Sequence, residues 1–292
     1  MLMKSAAAED AAVVSAFLNR MSIEITAKQA EKLPLIAAKV PKHAHVYVAL
    51  IDPADLPGQI EAVAQIRSIG LEPVPHIPAR FVRDRDDLAQ RLEAFAKRGK
   101  ITRALVLGGG APQPVGRYDA AIQLLETGLF QANGINAVGI AGHPEGNPDI
   151  TKVHGEAALL AALKTKQAYI SEHGLDGWIA TQFLFEADPV AQWAAGLRRE
   201  GITLPISVGI PGPATIKTLV KYAAMCGVGN SARFIRKQAM NVTKLLSVNT
   251  PDDFIAGLAK LHATRPDLGI DRPHMYPFGG FDKLFDWLTP KM

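Results

Sequence analysis

The chain has 292 residues, 48% of them hydrophobic, a single cysteine and a formal net charge of +4 at pH 7. No linker-like, low-complexity or charge-block segment divides it, so one domain over 1–292 is predicted, and Cys226 alone cannot form an internal disulfide. No run approaches the ~20 apolar residues of a membrane span, and the N-terminus, with Glu9 and Asp10, lacks the basic-then-apolar order of an export signal, so a cytoplasmic protein is expected.

In chain order, an amphipathic helix over 5–20 precedes a first strand at 21–26 and a helix at 28–39. Strand 43–52, helix 57–69, strand 72–78, helix 85–97 and strand 102–107 follow, the last running into Gly108-Gly109-Gly110. Then come helix 118–131, strand 135–140, helix 156–173, strand 177–185, helix 189–200 and strand 204–210. Helices at 215–225, 232–247 and 251–263 lead to a last strand at 274–278. Eight strands separated by helices require parallel pairing, which predicts a (β/α)₈ barrel with an extra helix at the N-terminus and another after the seventh strand. The prolines of 72–78 are the main irregularity, because each removes a ladder donor. The basic residues within 80–91 and 233–237 alternate with acids or apolar positions. The mild positive charge therefore favours small anionic ligands, and nucleic acid is not an expected partner.

Such a barrel carries its chemistry at the C-terminal ends of its strands. Those ends offer Glu24, Asp52, His76, the Gly108–Gly110 turn, 143–147, Gln182, 209–212 and 276–280. His43 and His45 stand at the start of their strand, the end opposite the chemistry, and no metal site is expected there. Glu24 is a lone carboxylate in an otherwise apolar strand, which suits either a general acid or a structural ion pair. The three glycines lack the spacing of a phosphate loop or dinucleotide fingerprint, and read either as a tight turn or as room for a planar ligand. The apolar run ending in Ala141-Gly142-His143-Pro144-Glu145-Gly146-Asn147-Pro148 sets polar groups among residues that restrict or free the backbone. No lysine in the sixth strand, no nucleophile elbow and no His-Glu-x-x-His are found. One acid, several amide-type groups and glycine gaps suit a barrel that positions an organic cofactor.

Several ordered motifs carry a resemblance: Ser22-Ile23-Glu24, Pro75-His76, the 141–148 loop, Leu163-Lys164-Thr165-Lys166, Ala180-Thr181-Gln182-Phe183-Leu184-Phe185, Gly209-Ile210 and Ala223-Ala224-Met225-Cys226-Gly227-Val228. With these, roughly 22–278 resembles the methylenetetrahydrofolate reductase family, flavoprotein barrels that interconvert methylene- and methyl-tetrahydrofolate. The resemblance implies FAD as cofactor, NADH or NADPH as co-substrate and a tetrahydrofolate as substrate. It implies Glu24 as general acid, and His76, Gly108, Gly109, Gly110, Tyr118, His143, Glu145, Asn147 and Lys166 around the flavin nucleotide. Gln182, Gly110 and Phe278 would meet the folate.

The chain also departs from the family. The fourth strand ends in Leu107-Gly108-Gly109-Gly110 where Leu-Arg-Gly-Asp is usual, His143 replaces a Tyr, Asn147 a His, and Gly279-Gly280 an Asn-Arg pair. These departures keep three alternatives in view. One is direct hydride transfer from nicotinamide without flavin. Another is a metal- or phosphate-dependent lyase or pterin methyltransferase using Glu24, His76 and 209–212, and the third is a non-catalytic folate- or flavin-binding barrel. A homo-oligomer is compatible with all of them.

Overall fold

A computed structural model describes residues 2–225 and 247–292. Its strands are β1 (Ser22–Thr26), β2 (His45–Ala49), β3 (Glu72–Pro78), β4 (Arg103–Leu107), β5 (Ala137–Gly142), β6 (Asp176–Phe183), β7 (Ile206–Pro211), β8 (Ala214–Thr215), β9 (Val248–Asn249) and β10 (Ile270–Tyr276). Eight of them close a parallel barrel in the order β1-β10-β7-β6-β5-β4-β3-β2, while β8 and β9 form a separate antiparallel pair. This is the (β/α)₈ architecture that the strand-helix alternation predicts. Strands covered on both faces read as continuous apolar runs, and β7, Ile-Ser-Val-Gly-Ile-Pro, is buried throughout.

The chain divides into two compact units, Ser22–Ala141 with Ala162–Ala180, and Met1–Met21 with Gly142–Ala161 and Thr181–Met292. In the first, Tyr47, Val74, Leu105, Ala137, Trp178 and Ala180 form one buried cluster. Gly139 makes room for the indole, since a Cβ there would lie 2.5 Å from Trp178 Cε2. β3 pairs in register with β2 and β4 despite Pro73, Pro75 and Pro78, with Val48 opposite Pro75 and His76 opposite Leu105.

In the second unit the N-terminal helix Leu2–Leu18 packs on the helix Asp252–Thr264, with the Phe17 ring 5.2 Å from His262. Arg198 lies in the helix Ala187–Arg199 and donates to the carbonyls of Ile202 at 2.5 Å, Leu204 at 2.9 Å and Leu268 at 2.8 Å. Its guanidinium thus ties the chain ahead of β7 to the chain ahead of β10.

Four stretches differ from the sequence reading. The 118–131 segment is two short helices, Ala121–Leu125 and Leu129–Ala132, separated where Gly128 turns to a φ of 69°. Pro148–His154, read as loop, is a helix with proline in its first turn and Asn147 as its cap. β10 begins at Ile270, and Asp271 and Arg272, which disguise its start in sequence, form an ion pair at 2.7 Å. The helix Phe281–Leu288 follows, burying Phe281, Leu284, Phe285, Trp287 and Leu288. The extra helix expected at 232–247 after the seventh strand falls almost wholly outside the described residues. No helix among the described residues is long and apolar enough to cross a membrane.

Candidate functional site

In the first unit, two of the sequence-predicted residues come together. Glu24 stands in the middle of β1, paired in register with Tyr47 of β2, and His76 is near the end of β3. His76 Nε2 lies 3.4 Å from Glu24 Oε2, with only 12% of the imidazole side chain and 20% of the carboxylate side chain exposed. The Tyr47 ring meets His76 edge-on, at 6.0 Å and 85°. Behind His76, the fully buried Gln59 donates from Nε2 to the carbonyls of Val48 at 2.8 Å and His76 at 2.9 Å. A shielded carboxyl beside an imidazole can hold a proton and pass it to a basic atom of a ligand.

The strand-four turn is shaped by an arginine from the 3-10 turn that follows β3. Arg80 donates its backbone N–H to Gly108 O at 2.9 Å, its Nη1 to Ala111 O at 2.9 Å and its Nε to Asp119 Oδ1 at 2.6 Å. Gly109 adopts φ 94°, and a Cβ on it would lie 2.9 Å from Pro78 Cβ, so this position needs glycine for both reasons. A Cβ on Gly110 would meet nothing within 4 Å among the described residues. Tyr118, just beyond the turn, is buried. Lys166, on the helix Ala157–Glu172, has its ammonium pushed down from 10.5 to about 8 by burial. Among the described residues no carboxylate is paired with it, so among them it is a half-buried, partly desolvated cation with no anion beside it.

In the second unit, the loop after β5 folds on itself through Gly146 N–H donating to His143 O at 3.1 Å, with Gly146 at φ 82°. His143 and Glu145 are half-buried in this turn. Asn147 uses its Oδ1 to accept the Asp149 N–H at 3.0 Å, so that oxygen is engaged in capping the Pro148–His154 helix. Gln182 lies near the end of β6, and its backbone is fixed from several sides. Thr181 Oγ1 donates to Gln182 O at 2.7 Å and accepts from Gly209 N at 2.8 Å, and Tyr276 OH donates to Thr181 O at 3.0 Å. A Cβ on Gly209 would lie 2.5 Å from Gln182 O, which is why β7 carries glycine there. Phe278 stacks on Tyr222 at 4.0 Å and 14° and on Tyr276 at 5.4 Å and 18°, while Phe183 meets it edge-on at 5.0 Å. The result is a half-buried aromatic wall suited to the flat face of a conjugated ring.

Sequence reasoning missed Gln59, Arg80 and Tyr222, which stacks on Phe278. Gln59 had a visible signal, since it occupies the buried stripe Gln59, Ala62, Val63, Ile66 of its helix, where an amide is out of place unless it has work to do. Arg80 had none, because its partners at Ala111 and Asp119 lie more than thirty residues away. Among the described residues, no three of His, Cys, Asp or Glu converge where they could hold a metal ion.

No protein-family model matches the chain. Among solved structures, a protein described as a phosphonomutase from Burkholderia cenocepacia aligns over 92% of this chain and 92% of its own, with a TM-score of 0.50 and 12% identity. A 3-dehydroquinate dehydratase from Aquifex aeolicus aligns over 70% of this chain and 85% of its own, with a TM-score of 0.41 and 14% identity. At 12% identity the first likeness is one of fold, in keeping with the barrel described above.

Proposed function

We propose that this barrel is an oxidoreductase interconverting 5,10-methylenetetrahydrofolate and 5-methyltetrahydrofolate, with FAD as cofactor and NADH or NADPH as co-substrate. The observation that carries the reading is the 3.4 Å contact between Glu24, in the middle of β1, and His76, near the end of β3, both largely shielded from solvent. Opening the five-membered ring of the folate requires a proton at its aniline nitrogen, and Glu24 delivers it while His76 steadies the carboxyl. Breaking that C–N bond leaves an iminium carbon, which accepts a hydride to become the methyl group. Gln182 donates to and accepts from the pterin edge, and Phe278 with its stacked neighbours offers the ring a flat apolar surface.

FAD, when bound, supplies the relay of hydride between nicotinamide and folate. The residues fit a nucleotide carrying a diphosphate: Lys166 is a half-buried cation without a carboxylate partner among the described residues, and Gly110 leaves open space at the strand-four turn. His76, His143, Glu145, Asn147 and Tyr118 are the further residues assigned to hold it.

A second reading is favoured by one observation. The arginine present at the strand-four turn, Arg80, directs its Nε to Asp119 and its Nη1 to Ala111 O. Lys166 serves the diphosphate of a nicotinamide nucleotide as well as that of FAD. In this reading the nicotinamide passes hydride to the folate directly.

The visible spectrum of the purified protein separates the two. Flavin bands that bleach with NADH or NADPH and return with methylenetetrahydrofolate support the first reading. A colourless protein that still oxidises NADH with methylenetetrahydrofolate supports the second. A colourless protein inert toward both folates, with FAD added, overturns both and leaves the lyase, methyltransferase and non-catalytic alternatives.

A further inference from the structure

We infer that Gln59 is the positioning residue of the Glu24 and His76 pair, holding the end of β3 in place of the ladder donors that the prolines of this strand lack. β3 reads Glu-Pro-Val-Pro-His-Ile-Pro, and each proline removes an N–H from the ladder. At the β2 and β3 seam, Val48 stands opposite Pro75, one residue before His76. A strand with so few donors has its backbone weakly fixed where the site needs it most firmly fixed. Gln59 repairs this from outside the sheet. Its Nε2 carries two N–H groups, and both are used, one on Val48 O at 2.8 Å and one on His76 O at 2.9 Å. The amide therefore staples β2 to β3 at the residue whose imidazole reaches Glu24.

The residue type matches the task. The side chain is wholly buried, so a lysine or arginine there would bring an uncompensated charge into the core, and an aliphatic side chain would leave both carbonyls without this donor. Among the described residues Gln59 Oε1 has no hydrogen-bond partner, so the amide is kept for its two donors at the cost of a buried acceptor. Gly58, just before it, lets the helix approach closely, since a Cβ there would stand 3.2 Å from Ala27 Cβ.

The functional consequence rests on the proposed reaction, but the geometric one does not, and the experiment reads both. Gln59→Met keeps length and removes the donors, and Gln59→Asn keeps the amide but withdraws it by one methylene. In protein labelled with ¹⁵N-histidine, Gln59→Met moves or broadens the His76 ring resonances while those of His262 and His173 stay in place. With methylenetetrahydrofolate and NADH, kcat falls between about ten- and a hundredfold, as expected for an acid misplaced by up to an ångström, while the KM for NADH is unchanged. Gln59→Asn shows both effects to a smaller degree and serves alone if the Met variant does not fold. If the His76 resonances respond but even the native protein has no folate activity, the positioning role stands and the proposed reaction fails. If the variants lose thermal stability while the His76 resonances and kcat stay native, Gln59 is only a structural staple and the inference is overturned.

Discussion

Glu24 and Lys166 are both shielded ionisable groups, but their surroundings differ. Glu24 has an imidazole 3.4 Å away, whereas Lys166 has no carboxylate partner among the described residues. For Glu24, replacement by Gln keeps the shape and removes the proton. Folate turnover should fall by about two to four orders of magnitude while NADH oxidation with an artificial acceptor survives, and equal loss in both assays would contradict the assignment. For Lys166, the folded pKa of about 8 lies below the 10.5 of the free side chain. Below about 8 the amine is charged in both folded and unfolded chains, so the cost of burying the charge is present in full. As pH rises from about 8 towards 10.5 the folded chain has shed its proton while the unfolded chain keeps it, and the cost is relieved. Lys166→Met should therefore stabilise the ligand-free protein at pH 7 by on the order of 2 kcal/mol, with the gain fading towards pH 10. Urea unfolding at the two pH values checks this, and a destabilised variant at pH 7 would mean that the amine has a favourable role in the ligand-free fold. Of these residues, Glu24 was legible because a carboxylate in an apolar strand is conspicuous. The isolation of Lys166 was not, because it depends on which carboxylates the fold brings near.

At the level of elements, the apolar runs of β5 and β7 make their existence plain, but continuous apolarity blurs their ends, and the expected 135–140 and 204–210 are each displaced by up to two residues. β3 was placed correctly, although its prolines argue against a central strand. The sequence could not reveal that a helix residue supplies donors there, because the contact between Gln59 and His76 forms only after β2 and β3 are paired. Ends fared worse where a polar residue serves a distant partner: the start of β10 was hidden by Asp271, which also binds Arg20. Within β5, Gly139 was read as part of a strand, and its need for glycine emerges only from the Trp178 indole lying against it. Gly139→Ala should overpack this contact and destabilise the protein by about 1 to 3 kcal/mol. Trp178→Leu in the same chain should recover part of that loss, because the two effects are coupled through one volume. Denaturant midpoints of the two single variants and the double variant test it, and strict additivity would show that the indole is not what excludes the methyl group.

At the scale of the whole molecule, the count of alternating strands and helices was enough to predict a closed parallel barrel, because that topology is dictated by periodicity and connection length. Which residues meet at the strand ends was legible only in part. Glu24 and His76 were named separately and stand in contact, whereas Arg80 and Tyr222 join the strand-end features through folding alone. The central claim is that the barrel moves hydride between nicotinamide and folate. The most direct test incubates the protein, with FAD added, with methylenetetrahydrofolate and NADH deuterated at the transferred position, and examines the folate product by mass spectrometry. The account predicts 5-methyltetrahydrofolate in native protein and its near absence in Glu24→Gln. Deuterium is retained fully in the methyl group if transfer is direct, and partly exchanged with solvent if it passes through flavin. Absence of methylfolate from the native protein with both NADH and NADPH would contradict the account.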